Sequence, residues 1–180
     1  MIRLAETPVL TTERLVLRAP QAGDWPAWRD FFESDRAGFV GGPMVQPGQS
    51  WRAFGHFIGH WVVRGYGMFV LTERGSDRAL GAVGPWFPDG WPEHEIGWTL
   101  WSAGLEGRGY AQEAALAARD FAIRTLGWSR PVSYIDQANA RSISLARRLG
   151  ALRDPKAEAP HFGDDRAPPH VFRHPAGAAA

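Results

Sequence analysis

The sequence predicts a mixed α/β domain, with antiparallel strands first and β-α-β crossovers after. Three observations predict it. Short alternating runs such as "RLVLRAP" read as half-buried strands. Longer runs such as "QSWRAFGHFIGHWVVR" repeat apolar residues at helical spacing. In the second half of the chain strand-like and helix-like runs alternate, as crossover connections require. At 180 residues the chain suits one domain with a substantial core and is short for two, so residues 1–180 are expected to fold as a single domain.

The elements follow in order. Residues 14–20, "RLVLRAP", alternate like a strand closed by proline. Asp24 precedes "WPAWRDFFES" with Pro26 in the first turn, which predicts an N-capped helix to about Ser34. "DRAGFVGGPMVQPG" is a glycine- and proline-rich loop. The next helix carries Trp51, Phe54, Phe57, Ile58, Trp61 and Val62 at helical spacing, and Gly65 stops it. "YGMFVLTER" and "RALGAVGPW" make a hairpin closed by "RGSDR", and "HEIGWTLW" is the next strand. From Tyr110 to Leu126, small or apolar residues at 111, 114, 115, 118, 121, 122 and 125 mark one helical face, ended by Gly127. "PVSYID" is a short strand and "NARSISLARRLG" a helix stopped by Gly150. "ALRDPKAEAPHFGDDRAPP" reads as a proline-rich loop, "HVFRHP" as a returning strand, and the terminal "AGAAA" as a frayed end.

Composition narrows the function. A net charge of +1 supplies no basic field for nucleic acid or an anionic membrane surface. The absence of cysteine excludes disulfides, thiolate metal sites and a cysteine nucleophile. No stretch has signal-peptide or membrane-spanning length, so a soluble cytoplasmic protein without a metal is expected. Lys156 is the single lysine among 20 basic residues, a bias that reads as genome composition rather than function.

The chemistry concentrates at "LEGRGYAQEA", residues 105–114, where two glycines stand between a strand and a helix. Glycine inside an element costs about 1 kcal/mol relative to alanine, so the turn is tight or something approaches its backbone. A strand, a glycine turn and a helix N-terminus together form a phosphate-binding arrangement, because the first helical N–H groups are unpaired and the dipole favours an anion. A Walker loop would need a lysine after the glycines, and none follows. A dinucleotide fingerprint would need a third glycine where Gln112 stands, although Asp136 offers an acid at a later strand end.

"EGRGYA" resembles the Q/R-x-x-G-x-G/A signature of the GNAT superfamily of acetyl-CoA-dependent N-acetyltransferases, with Glu106 where the family usually has Gln or Arg. "TTERLVLRAP", "EIGWTLW" and "NARSISLARRLGA" accompany it in the order and spacing of the ribosomal-protein N-terminal (Rim-type) branch, over residues 10–152. The resemblance implies a GNAT-like α/β fold: a mixed sheet of about six to seven strands, splayed between the fourth and fifth, flanked by about four helices. It implies that acetyl-CoA lies in the splay. Its pyrophosphate would rest on the amides of Gly107, Arg108, Gly109, Tyr110, Ala111 and Gln112, with Arg108 adding charge, and its pantetheine arm would pair with Trp98, Thr99 and Leu100. Asn139 is both a helix N-cap and, by resemblance, a cofactor contact.

Acetyl transfer to an amine needs a neutral amine, a donor for the oxyanion and a proton for the departing thiolate. Splayed backbone near residues 98–100 would supply the donor. Glu95 is the candidate base: alternation puts it on one face with Gly97 and Thr99, and Rim-type relatives often have an acid there. His94 points the other way. The tyrosine that many members use as the acid falls at Ala146, and the Rim-type pattern offers Ser142 instead. The acceptor, a small amine, an amino acid or a protein N-terminus, would meet the two early helices and the loops "FVGGPMVQPG" and "GPWFPDGWP", where Trp51, Trp86 and Trp91 are candidate walls. The resemblance also admits a homodimer, and a sensor that binds acetyl-CoA without turnover.

Overall fold

The computed structural model describes residues 6–161 and 167–176; most of the C-terminal "AGAAA" expected to fray, and part of the proline-rich loop, lie outside them. In chain order the elements are β1 (Leu10–Thr11), β2 (Leu15–Arg18), α1 (Trp25–Phe32), α2 (Gln49–Arg64), β3 (Phe69–Glu73), β4 (Gly81–Trp86), β5 (Glu95–Leu100), α3 (Tyr110–Arg124), β6 (Val132–Ile135), α4 (Ala140–Arg148), β7 (Leu152–Arg153) and β8 (His170–Arg173). Short 3-10 turns occupy Ala22–Asp24, Asp35–Val40 and Ala103–Leu105. The strands form one sheet in the order β1-β2-β3-β4-β5-β6-β8-β7. All its pairings are antiparallel except β5 with β6, which the α3 crossover makes parallel.

Every expected strand and helix is present. The two additions, β1 and β7, are two residues each, too short to show an alternation. One sheet face buries Leu15, Leu17, Phe69, Leu71 and Val83 against an alanine stripe on α3, Ala114, Ala115 and Ala118. Small side chains there let the helix lie close to the sheet. The other face packs Val70, Ala82 and Trp101 against Trp28, Phe31, Phe54 and Phe57 of α1 and α2. The turn of α2 into β3 uses Gly65 at φ 76°, as expected of a left-handed helix stop.

Four local expectations are corrected. Asp24 stands at the N-cap of α1, but its carboxylate does not cap: it accepts from Arg18 at 2.7 and 2.8 Å and from the Gln21 N–H at 2.8 Å. The buried guanidinium of Arg18 requires a counter-charge, and that demand outweighs a helix cap. Helix α1 also ends at Phe32 rather than Ser34. On α2, Trp51 and Val62 belong to the apolar pattern yet are 59% and 68% exposed, because the sheet covers a narrower stripe than the pattern spans. On α3, Thr125 lies outside the helix and exposed, whereas Tyr110 is buried.

Candidate functional site

The parallel pair β5 and β6 is joined at one end and parts at the other. The Val132 N–H donates to the His94 carbonyl at 2.9 Å, and Glu95 opposes Val132 in the single registered pair. Two residues along, the same ladder would send the Tyr134 N–H to the Ile96 carbonyl. Instead the Tyr134 N–H faces Glu95 Oε1 at 3.4 Å, and the Ile96 carbonyl accepts from Ser133 Oγ at 2.6 Å. Two side chains thus stand in for the missing rung. Since Ser133 gives its proton to Ile96, His174 Nε2, 3.0 Å away, donates to Ser133 as a neutral imidazole. Burial pushes the His174 pKa down to about 4, which keeps it neutral. Beyond this point the peptide groups of Trp98 and Leu100 address the open edge, by the same alternation that aims the Ile96 carbonyl there.

The opening is a cleft of about 1220 Å³ that runs from α4 and the start of α3 to the α1–α2 side of the sheet. Glu95, Gly97, Trp98, Thr99, Leu100, Gly107, Ala111, Asn139 and Ser142 all line it.

Glu95 sits on the cleft wall with little solvent exposure. Burial raises its pKa from 4.5 to about 7, opposed by the Trp91 indole N–H donating to Oε2 at 2.6 Å and by the contact with the Tyr134 N–H. A Cβ built on Gly97 would come within 3.2 Å of the Met68 methyl and 3.8 Å of Glu95 Oε1, so the glycine keeps the space beside the carboxylate open. His94 faces the other way, as expected, stacked on Trp128 at 4.3 Å.

Helix α3 begins after two left-handed glycines, Gly107 at φ 74° and Gly109 at φ 80°. A Cβ on Gly107 would meet nothing within 4 Å, so this stretch presents bare backbone to the cleft. The start of the chain holds the helix end in place. Glu113, in the first turn, accepts from Thr12 Oγ1 at 2.6 Å and from Arg14 N and Nε at 2.9 and 2.7 Å, while Arg14 Nη1 donates to the Arg108 carbonyl at 2.9 Å. The "TTER" segment therefore bears on the glycine turn from nearly a hundred residues away.

At α4 the Asn139 side chain accepts the Ser142 N–H at 3.1 Å, a helix cap. Ser142 Oγ accepts the Trp98 indole N–H at 3.2 Å, which leaves the hydroxyl proton available. Two groups that sequence reasoning did not connect complete this end. Glu106 Oε1 takes Arg36 Nη2 and Oε2 takes Arg141 Nη1, each at 2.7 Å. Arg148, also in the lining, donates to Gln112 Oε1 at 3.2 Å and Ser144 Oγ at 2.7 Å.

The remaining expected cofactor residues, Arg108, Gly109, Tyr110 and Gln112, fall nearby, outside the lining of the cleft. Tyr110 is buried, with its hydroxyl donating to Glu73, because an aromatic ring at the first turn is better covered by the core than by solvent. Arg108 lies over that ring at 4.7 Å and 3.7 Å from Glu73 Oε1. Trp86 and Trp91 wall the cleft, but Trp51 does not: it packs edge-on against Trp25 at 4.9 Å. Nothing in the sequence marks Trp91 as the partner of Glu95, or Arg36 as the partner of Glu106, since neither pair forms a spaced motif.

Comparison with known proteins agrees with this architecture. The chain superposes on an acetyltransferase from Agrobacterium tumefaciens with a TM-score of 0.84 at 37% identity, covering 97% of this chain and 98% of that one. A GNAT-family acetyltransferase from Bacillus anthracis shares the fold at a TM-score of 0.71 and 20% identity, over 93% and 96% of the two chains. So does RimL, a ribosomal L7/L12 α-N-protein acetyltransferase solved with coenzyme A, at 0.72 and 16%, over 93% and 96%. A family model for the acetyltransferase (GNAT) domain matches residues 14–152, which hold both the splayed strands and the glycine turn. With most of its length matched in this way, the chain belongs to the GNAT acetyltransferases.

Proposed function

We propose that the protein transfers an acetyl group from acetyl-CoA to a primary amine by direct attack, with Glu95 as the base and Ser142 as the acid. The observation that carries this reading is the placement of both side chains on one cleft where β5 turns an edge free of β6 to the opening. Acetyl-CoA, when bound, supplies the activated thioester. The cleft suits it: the Gly107 backbone is bare of side chain at a helix N-terminus, and Arg141 and Arg148 add positive charge on the α4 side. The backbone turn from Gly107 into α3 would hold the pyrophosphate, and the open edge from Trp98 to Leu100 would hold the pantetheine arm and offer a donor to the thioester oxygen. Asn139 serves through its cap, which fixes the turn that carries Ser142.

Glu95, with its pKa near 7, accepts the proton of the amine at Oε1 or through water. The Trp91 indole holds the other oxygen and so orients the carboxylate. Ser142, with its oxygen engaged by Trp98, gives its hydroxyl proton to the departing sulfur as the C–S bond breaks and regains one from water. The working environment of this reaction is the cytoplasm.

The test is turnover. Purified protein, acetyl-CoA and a panel of amines are incubated, free thiol is followed, and the products are weighed by mass spectrometry. Thiol release with a 42 Da gain on the amine, about the mass of an added acetyl group, supports the transferase. Tight binding of acetyl-CoA without release across the panel would favour a sensor.

A further inference from the structure

The half of the cleft beside α1 and α2 is apolar. Phe39 and Val40, on the 3-10 turn Asp35–Val40, line it with Met44, Met68 and Trp86. Phe39 is 50% and Val40 41% exposed, so this face offers apolar surface that a ligand would cover. Trp86 is a fixed plane rather than a loose flap. Its ring stacks on His60 at 4.4 Å, and His60 is pinned at both nitrogens: Nδ1 lies 2.8 Å from the Tyr66 carbonyl and Nε2 takes the Phe87 N–H at 3.0 Å.

Three acids face this side, against Arg36 and the imidazole of His56, whose ring lies 5.2 Å from that of Trp86. Asp35 and Asp89 line it together with Glu95. The guanidinium on this side, Arg36, is committed: its Nη2 donates to Glu106 Oε1 at 2.7 Å and to the Leu100 carbonyl at 3.2 Å.

We propose that the acceptor is a primary amine carried on an apolar, ring-sized body with no acid group beside the nitrogen, an arylalkylamine in chemical class. The inference rests on the acetyl-transfer reading and specifies its second substrate. The ring lies among Phe39, Val40 and Trp86, and the nitrogen reaches Glu95 through the space that Gly97 leaves open. A free amino acid carries a carboxylate toward three acids and finds Arg36 already paired. A polyamine satisfies the acids but leaves the apolar walls without cover.

Four probes separate these outcomes: 2-phenylethylamine, phenylalanine, spermidine and a short peptide with N-terminal serine. Phenylalanine differs from 2-phenylethylamine only by its carboxylate. The expected result is a kcat/KM for 2-phenylethylamine at least ~10-fold above each of the others, and a ~10-fold rise in its KM in Phe39→Ala, the scale of a lost apolar pocket contact. Phe39 is half exposed, so its truncation leaves the fold and acetyl-CoA binding in place. Equal or faster acetylation of phenylalanine, spermidine or the peptide would overturn the substrate class while leaving the transferase standing. Calorimetric titration of each probe without acetyl-CoA keeps the two readings apart. If no probe is acetylated, selective binding of 2-phenylethylamine still supports the ligand class and absence of binding overturns it, while the transfer reading is decided separately by thiol release across the wider amine panel.

Discussion

Replacing Glu95 with glutamine should make the protein more stable above neutrality while slowing it near pH 7. On folding, burial carries the carboxyl pKa from 4.5 to about 7. The folded chain therefore holds this proton more tightly than the unfolded one. The resulting stability is complete below about pH 4.5 and is lost as the pH climbs through 7. At about 1.4 kcal/mol per pH unit, the displacement from 4.5 to about 7 comes to about 3 kcal/mol. Glutamine avoids that cost because it never ionises. Its amide has one oxygen where the carboxylate has two, so either the Trp91 indole or the Tyr134 N–H loses its acceptor, a penalty of about 1 kcal/mol. The net expectation is a gain of about 2 kcal/mol near pH 8.5 and none near pH 5, read from urea unfolding at the two pH values.

Activity should move the opposite way. A positioned base contributes about 10²-fold to 10⁴-fold, so kcat/KM of Glu95→Gln falls by that order near neutrality, with acetyl-CoA binding intact. The loss should shrink as the pH approaches about 10, where an alkylamine deprotonates unaided. A variant that is less stable at both pH values, with a rate defect constant from pH 7 to pH 10, would refute the reasoning. Glu95 would then hold the strands together and take no proton.

The glycine turn has a matched control: Gly107 and Gly127 sit at φ 74° and 73°, and a Cβ on either meets nothing within 4 Å. Alanine at each should cost a similar ~1–2 kcal/mol in denaturant melts, but only Gly107→Ala should weaken acetyl-CoA in calorimetry; equal binding would confine the glycines to shaping the turn. Ser142→Ala should lower kcat about 10²-fold with little change in acetyl-CoA affinity, and an unchanged single-turnover rate would remove Ser142 from the chemistry. Glu106→Gln frees Arg36 and Arg141, so acetyl-CoA should bind about 2–5-fold tighter at low salt, an advantage that fades as salt rises. Looser binding would mean that the acid positions those guanidiniums for the ligand.

What the sequence revealed is what local patterns encode. Alternation and helical spacing identified all the longer elements, because their side chains meet neighbours a few residues away. Gly107 and Gly109 were legible for the same reason: a left-handed turn before a helix leaves a mark within one short segment. Contacts made across the fold left none. Arg36 and Glu106 are separated by 70 positions, and Thr12 and Glu113 by 101. Asp24 shows the limit inside a single motif, since its spacing fits a cap but the Arg18 guanidinium decides where its oxygens go. Tyr110 shows another: its position in the signature is readable, but not the direction in which its ring turns.

The splay between β5 and β6 unites fold and site. Parallel neighbours joined at Glu95 and Val132 would ordinarily continue pairing, since each further rung satisfies two peptide groups. They part here because side chains meet the same demand. The Ile96 carbonyl is taken by Ser133, itself backed by His174, and the Tyr134 N–H turns to Glu95. Freed of β6, the edge from Trp98 to Leu100 faces the cleft without a rung to break. The carboxylate that helps replace the rung is also the one proposed to take the proton. Its position at the fork accounts for both properties: the strands that close over it strip away water and raise its pKa, and their separation leaves it facing the cleft.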